Sequence, residues 1–351
     1  MMTAQLTHRH FRGDRLDLFW WFICERQSIW QRRFVQQLLP PWTADQTMQR
    51  ERFTNVYREL DPGTQYAINE ILERDAPKPD KIFNIMLYRL IGRKETHAAI
   101  GFQRLTPEAT PSALWRDPQA GTLFDPQALE RRLKYIRDVE KKSPFTAAYM
   151  VSAYTQMGSR DKIVNVVRLF DKLYRSFDTL YARIQACRSS AEVHALLCAV
   201  DGFGNFLAYQ VLVDLLYPLR IYGNAPLLPY THDDWASAGP GAQRGIAMLL
   251  KEGVQAEHLE VMRWLRYNQQ AEFARLGLDF PYLRDDRGQP VEISLANIQN
   301  CLCEFHKYVK ISEGTGRGRR KYQTAGAAAG GHRPPPSSPP YEQLSLAFSP
   351  S

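Results

Sequence analysis

The segment that most restricts the fold runs from Ser189 to Leu216, SSAEVHALLCAVDGFGNFLAYQVLVDLL. Its spacing predicts a helix, a tight Gly-x-Gly turn and a second helix, a helix-hairpin-helix unit spanning 189–217. Ser189 followed three residues later by Glu192 is a capping box that opens the first helix. Leu196, Leu197 and Val200 give that helix an apolar face. Gly202-Phe203-Gly204 turns the chain, because glycine reaches backbone angles that cost other residues dearly. Phe206, Leu207, Val211 and Leu215 then return at helical spacing. Amide groups at such a turn, with the positive end of the next helix dipole, suit a phosphate. Gly202, Gly204 and Asn205 are therefore the candidate phosphate contacts. The same pattern also fits a helical hairpin that only packs in a core.

The remaining periodic segments read as helix as well. They run from Asp14 to Leu38, Asp45 to Glu59, Lys81 to Leu90, Asp125 to Lys141 and Asp161 to Tyr181 before the hairpin. Gly241 to Lys251, Ala256 to Leu276 and Val291 to Tyr308 follow it. The stripe Ile163, Val166, Val167, Phe170, Leu173, Tyr174 and Phe177 is the clearest amphipathic face. No series of alternating strands appears, so the fold class is all-α with roughly ten helices. Residues 1–311 read as one helical domain. From Ser312 to Ser351 the chain turns to Gly, Ala, Arg, Pro and Ser, a composition that builds no core, and it is expected to be a disordered tail.

Charge narrows the partners. Forty-five Lys and Arg against 37 Asp and Glu leave a net charge of +8, which is compatible with nucleic acid. Arg317, Arg319, Arg320 and Lys321 add a basic cluster in the tail. No signal peptide and no apolar run of membrane-spanning length is evident, so a soluble, intracellular, cytoplasmic protein is expected. Cys24, Cys187, Cys198, Cys301 and Cys303 are sparse and odd in number, which disfavours a disulfide framework. Cys301 and Cys303 lack the spacing of a zinc site, and no metal site is expected. There is no Gly-x-x-x-x-Gly-Lys-Ser/Thr loop, no Gly-x-Gly-x-x-Gly fingerprint, no His-Glu-x-x-His and no Gly-x-Ser-x-Gly elbow. An ATP-driven step within these residues is unsupported, and no cofactor is expected.

Two further constellations carry possible chemistry. Thr231-His232-Asp233-Asp234-Trp235 is a polar knot after the hairpin, followed by Ala238-Gly239-Pro240-Gly241-Ala242-Gln243-Arg244-Gly245. A carboxylate at Asp233 or Asp234 beside an everted base can move a proton or stabilise positive charge. The Gly-Pro-Gly turn lets backbone approach a ligand, and Arg244 can hold a phosphate. A capped helix start fits the same residues. The second constellation combines Trp20, Trp21, Glu25, Arg26, Ile29 and Arg33 on one helix with Trp42, Asn55, Tyr57, Arg58, Glu59 and Asp61. Aromatic rings stack on bases and Arg binds phosphate. A salt-bridged face between packed helices fits these residues equally. Trp264 between Arg263 and Arg266 reads first as a core tryptophan flanked by surface charge.

Taken together, the blocks ERQSIWQRR, PWTADQTMQRERFTNVYRELD, VDGFGNFLAYQVLVDL, THDDWASAGPGAQRG and ANIQNCLCEFHKY resemble the helical domain found with phage 5-hydroxymethyluracil DNA kinases. That group is also described as α-glutamyl/putrescinyl-thymine pyrophosphorylases. The resemblance spans about Arg15 to Tyr308. It implies a fold similar to DNA glycosylases and a role in thymine hypermodification, where a phosphorylated 5-hydroxymethyluracil exchanges its activated group for an amine or amino acid. Without a P-loop, the chain would be a stand-alone module that displaces the activated group or serves a 5-hydroxymethyluracil DNA kinase acting in trans. The partners implied are double-stranded DNA containing modified thymine and an amine or amino-acid donor.

On this reading Gly202, Gly204 and Asn205 anchor the DNA backbone. Trp20, Trp42 or Tyr57 support the flipped ring. Arg26, Arg58 and Arg244 neutralise a departing pyrophosphate. Asp234, with Asp233 second and Glu25 third, is the candidate catalytic carboxylate. A DNA glycosylase shares the hairpin and downstream aspartate, though its iron–sulfur cysteine array is missing here. A non-catalytic DNA-binding module and a purely structural role are also compatible with these residues.

Overall fold

The computed structural model describes residues 6–106, 121–147, 153–316 and 318. The fold is all-α. In chain order the helices are α1 (Gly13–Trp30), α2 (Gln46–Arg50), α3 (Pro62–Ala67), α4 (Lys78–Ile91), α5 (Lys94–Ile100), α6 (Pro126–Asp138), α7 (Lys162–Arg175), α8 (Phe177–Ala186), α9 (Ser190–Cys198), α10 (Asn205–Leu215), α11 (Pro240–Leu249), α12 (His258–Arg275) and α13 (Leu295–Ser312). Two very short sheets accompany them. β1 (Gln103–Arg104) pairs in parallel with β2 (Thr122–Leu123), and β3 (Leu283–Arg284) pairs antiparallel with β4 (Pro290–Val291).

The chain divides into two compact units. One unit combines residues 1–61 with 235–351, and the other is the segment 62–234. The expected C-terminal tail lies outside the described residues beyond residue 318.

In the first unit α1 is buried along most of its length. Phe19 meets Phe305 of α13 edge-on at 5.3 Å, and Trp20 meets Phe273 of α12 at 5.0 Å. Phe273 stacks on Phe280 at 4.6 Å. Such aromatic pairs add to the area they bury. α11 lies tightly on α13 because Gly245 offers no side chain there. A Cβ on Gly245 would sit 2.4 Å from the carbonyl oxygen of Leu302, and one on Gly241 would sit 3.1 Å from Cys303 Sγ. Gly241 and Gly245 thus serve a helix–helix contact, whereas Gly239, the first glycine of the Gly-Pro-Gly turn, has nothing within 4 Å of the position a Cβ would take. Small residues spaced four apart share one helix face, and this face is occupied by α13.

In the second unit the ring of Phe83 on α4 is ringed by Phe124, Phe170 and Phe177 at 5.1 to 5.5 Å, all edge-on. Of the predicted amphipathic stripe, Ile163, Val166, Val167, Phe170 and Leu173 are buried on α7 and Phe177 on α8, while Tyr174 is half-buried. The single helix expected over 161–181 breaks at Ser176, whose hydroxyl bonds back to Lys172 and Leu173 carbonyls. Side-chain competition of this kind ends helices. Asp214 of α10 is fully buried and gripped on both oxygens by Arg89 of α4, which fixes the second hairpin helix to its core.

The helix expected over 45–59 is cut short. α2 covers only Gln46–Arg50, and the chain then runs irregularly to a 3-10 turn at Arg58–Leu60. Side chains of α1 and α13 take over the backbone groups of this irregular stretch.

Candidate functional site

α9 and α10 are the two helices that the spacing predicts on either side of the Gly202–Gly204 turn. Ser189 caps α9 by accepting the Glu192 amide, and the Glu192 carboxylate accepts the Arg188 amide. The two glycines do different work. Gly202 adopts φ +80°, and a Cβ there would stand 2.7 Å from Leu169 Cδ2. Its carbonyl accepts the hydroxyl of Tyr154 at 2.9 Å. Phe203 is buried, which pins the turn to the unit. Gly204, at φ −72°, has nothing within 4 Å of the position a Cβ would take. It starts α10 without a side-chain cap, and Gly204, Asn205 and Phe206 are exposed. The positive end of α10 thus opens to solvent. His194 Nε2 lies 3.2 Å from the Asn205 carbonyl and ties α9 to this first turn. Lys172 pairs with Asp201 beside the turn.

The expected carboxylates Asp233 and Asp234 lie in the same unit. They belong to a tight turn in which the Asp234 carboxylate accepts the Thr231 amide at 2.7 Å. Asp233 donates its amide to the Thr231 hydroxyl. His232 Nε2 contacts the Val213 carbonyl at 2.8 Å, and its ring packs on Tyr217 at 4.6 Å. The turn is therefore seated near the C-terminal end of α10. Val213 is nine positions after Gly204, or about 13.5 Å of helical rise. Asp234 is exposed and Asp233 half-buried.

The densest polar constellation is in the first unit. α13 presents Asn297, Asn300, Glu304 and Lys307 along one face, and each engages the irregular segment 52–59. Asn297 accepts the Arg58 amide at 3.0 Å and donates to Glu59 Oε2 at 3.2 Å. Asn300 donates to Thr54 Oγ1 at 3.1 Å and to the Asn55 carbonyl at 3.3 Å. Glu304 accepts the Thr54 amide, and Lys307 donates to the Arg52 carbonyl at 2.9 Å. From the other side, Arg26 of α1 donates to the carbonyls of Thr54 and Asn55. These side chains satisfy the backbone groups that a helix would have paired, which is why the helix stops at Arg50.

Arg26 and Arg58 are buried, at 5% and 7% exposure. Arg26 stands over the Phe22 ring, and its Nη1 has no hydrogen-bond partner among the described residues. The Asp61 carboxylate accepts the Asn55 amide at 3.0 Å. Burial raises its pKa to about 6, against the pull of that hydrogen bond and of Arg58 and Arg26. Burial likewise raises Glu59, opposed by its hydrogen bonds and by Arg58. Thr54, Asn55, Asp61, Asn300 and Glu304 are half-buried, so the cluster has a solvent-facing rim. Asn297, Asn300 and Glu304 are the residues that reading the sequence missed. Their spacing on one helix face was the available signal, but only the fold reveals what they face.

The remaining expected site residues are dispersed. Trp20 and Tyr57 are fully buried, and the Tyr57 hydroxyl donates to the Val291 carbonyl. Neither ring has a face open to a base, so both are core residues rather than stacking platforms. Trp42 is half-buried, with Arg33 5.0 Å above its ring. Glu25 forms an ion pair with Arg32 at 3.2 Å. Arg244 is exposed on α11. The Cys24 thiol is pushed up to about 11 and the Cys303 thiol to about 12 by burial, so neither is a poised nucleophile. No helix among the described residues is long and apolar enough to cross a membrane.

Residues 14–318 match the family described as 5-hmdU DNA kinase, helical domain, and the chain belongs to that family. A 5-hmdU DNA kinase of Bacillus phage SP10 is 29% identical over 302 residues. That alignment spans 83% of this chain but 44% of the phage protein, so the chain corresponds to less than half of that relative's length. No solved structure matches significantly.

Proposed function

We propose that this protein acts in thymine hypermodification of DNA, replacing the activated group of a phosphorylated or pyrophosphorylated 5-hydroxymethyluracil with an amine or amino acid. The observation that carries the reading is the family match across nearly all the described residues, with a 5-hmdU DNA kinase as a relative. Two features support it independently. The solvent-open start of α10 at Gly204 and Asn205 suits a DNA phosphate. The rim of the Asp61 cluster supplies a carboxylate with a pKa near neutrality.

In the proposed step the amine nitrogen attacks the exocyclic methylene carbon of the base. The carbon–oxygen bond breaks, and its electron pair leaves with the phosphate or pyrophosphate. The proton lost by the nitrogen passes to a carboxylate. Asp61 suits that role because it is ionised at neutral pH yet holds a proton more tightly than an ordinary aspartate. Asp234, Asp233 and Glu25 are further carboxylates to test, and Asp234 already serves the Thr231 amide. The exposed guanidinium of Arg244 suits a departing phosphate better than Arg26 and Arg58, which are buried.

The test incubates the protein with DNA carrying the activated base and a panel of amines. Digestion to nucleosides and mass spectrometry then reads the base. A new amine-substituted nucleoside, lost in Asp61→Asn, supports the reading. An unchanged base with every amine overturns the transfer reaction. A second reading, a DNA-binding module for a kinase, is favoured by the chain's matching 44% of a longer kinase. It predicts DNA binding and a faster kinase in trans, with no new nucleoside from this chain alone.

A further inference from the structure

The loop from Gln36 to Pro41 plays no part in the chemistry above, yet every one of its residues is exposed. At its tip Leu38 is 51% exposed and Leu39 87%. Leaving a leucine in water forgoes roughly 1.5–3 kcal/mol of burial. The loop is nevertheless firmly held. Leu38 donates its amide to the Arg32 carbonyl at 2.8 Å, and the Trp42 indole donates to the Leu38 carbonyl at 2.7 Å. Arg32 Nη1 reaches the Trp42 carbonyl at 2.6 Å and also pairs with Glu25. Gln37 sits at φ +53°, and two prolines follow Leu39. Proline fixes φ, so the tip has little freedom to leave its outward pose.

Two arginines precede the loop: Arg32, which is paired with Glu25, and Arg33. Arg33 lies over the Phe34 and Trp42 rings at 4.7 and 5.0 Å. No aspartate or glutamate occurs between Arg26 and Ala44. An apolar tip on a segment that carries arginines and no acidic residue complements a polyanion that also offers an apolar interior. Duplex DNA has that character, since apolar side chains enter between base steps while cations meet the phosphates. The tip projects only two leucines. A stable protein interface needs about 800 Å² per partner, whereas a wedge needs one or two side chains.

We infer that the Leu38–Leu39 tip is a wedge that enters the base stack of duplex DNA and helps a pyrimidine leave it. The inference rests on the reading that DNA is the substrate. It assigns the tip an unstacking role separate from the grip on phosphate at α10.

The experiment uses a duplex with 2-aminopurine beside a central thymine or 5-hydroxymethyluracil. Binding is measured by anisotropy and unstacking by 2-aminopurine fluorescence. The full-length protein is expected to bind and to raise the fluorescence. Leu39→Ala is expected to keep its thermal stability and the salt dependence of binding but to lose most of the fluorescence rise. Leu39→Met, which keeps an apolar tip, restores it. If the wild type binds without raising the fluorescence, or if Leu39→Ala raises it fully, the wedge is overturned while the DNA reading stands. If the wild type does not bind duplex DNA, the DNA reading fails and the wedge with it. A change confined to sedimentation behaviour in Leu39→Ala assigns the tip to a protein contact and also overturns the wedge.

Discussion

The Asp61 carboxylate accepts the amide of Asn55 at 3.0 Å, closing the chain between them into a loop that also carries Arg58 and Glu59. The bond joins an aspartate whose proton affinity is raised by burial to a stretch of backbone held by α13 and Arg26. Protonation at this one carboxyl therefore bears on both the fold and the proposed chemistry.

The sign of the pH effect follows. The folded chain binds the Asp61 proton with a pKa of about 6, above the ordinary 3.8. Its contribution to stability is thus fully present below about 4 and is lost as pH rises through about 6. Asp61→Asn retains an acceptor for the Asn55 amide and removes this titration. The difference in melting temperature between wild type and variant should shift toward the variant between pH 4 and pH 7. A difference that is flat across that range would refute the assignment. In the amine-transfer assay, the wild type should show an acid limb in its pH–rate profile near pH 6, where Asp61 gains its proton.

The hairpin glycines should separate folding from binding. Gly202→Ala places a Cβ against Leu169 at a positive φ, and it should cost about 1–3 kcal/mol in denaturant unfolding. Gly204→Ala meets open space at an ordinary φ, so its effect on stability should stay within about 1 kcal/mol. Its added methyl stands at the start of α10, so weaker DNA binding with an intact fold is the expected outcome. Equal stability for the two variants would show that the turn is not packed as described.

Arg89 and Asp214 should be strongly coupled. Removing either partner leaves a charge that is buried or nearly so, and urea titration should show a loss of about 3–5 kcal/mol for Arg89→Met or Asp214→Leu alone. The double variant should recover much of that loss, because the unpaired charge is gone. Additive losses would mean that the pair is not the energetic unit proposed.

Gly245 should tolerate no side chain. A Cβ there would meet the Leu302 backbone at 2.4 Å, so α11 must move off α13. Gly245→Ala should lower the melting temperature, whereas Gly239→Ala, with open space around it, should have a much smaller effect. Comparable melting temperatures for the two would refute the close helix contact.

The amino-acid sequence determined the all-α class, most helix positions and the hairpin, because these depend on capping residues, glycine and apolar spacing within a few residues of each other. Asp125, Asp161 and Ser189 cap the helices they precede, as their local patterns require. The sequence also brought Arg26, Asn55, Arg58, Glu59 and Asp61 into view as a group of chemical interest. The tertiary structure decided what each of them does. It enclosed Trp20 and Tyr57 in the core, set Gly245 against a backbone, and gave Asn297, Asn300 and Glu304 to a segment some 240 residues earlier. Whether a polar or aromatic side chain faces solvent, a core or another backbone depends on contacts between distant segments. Local periodicity carries no information about those contacts.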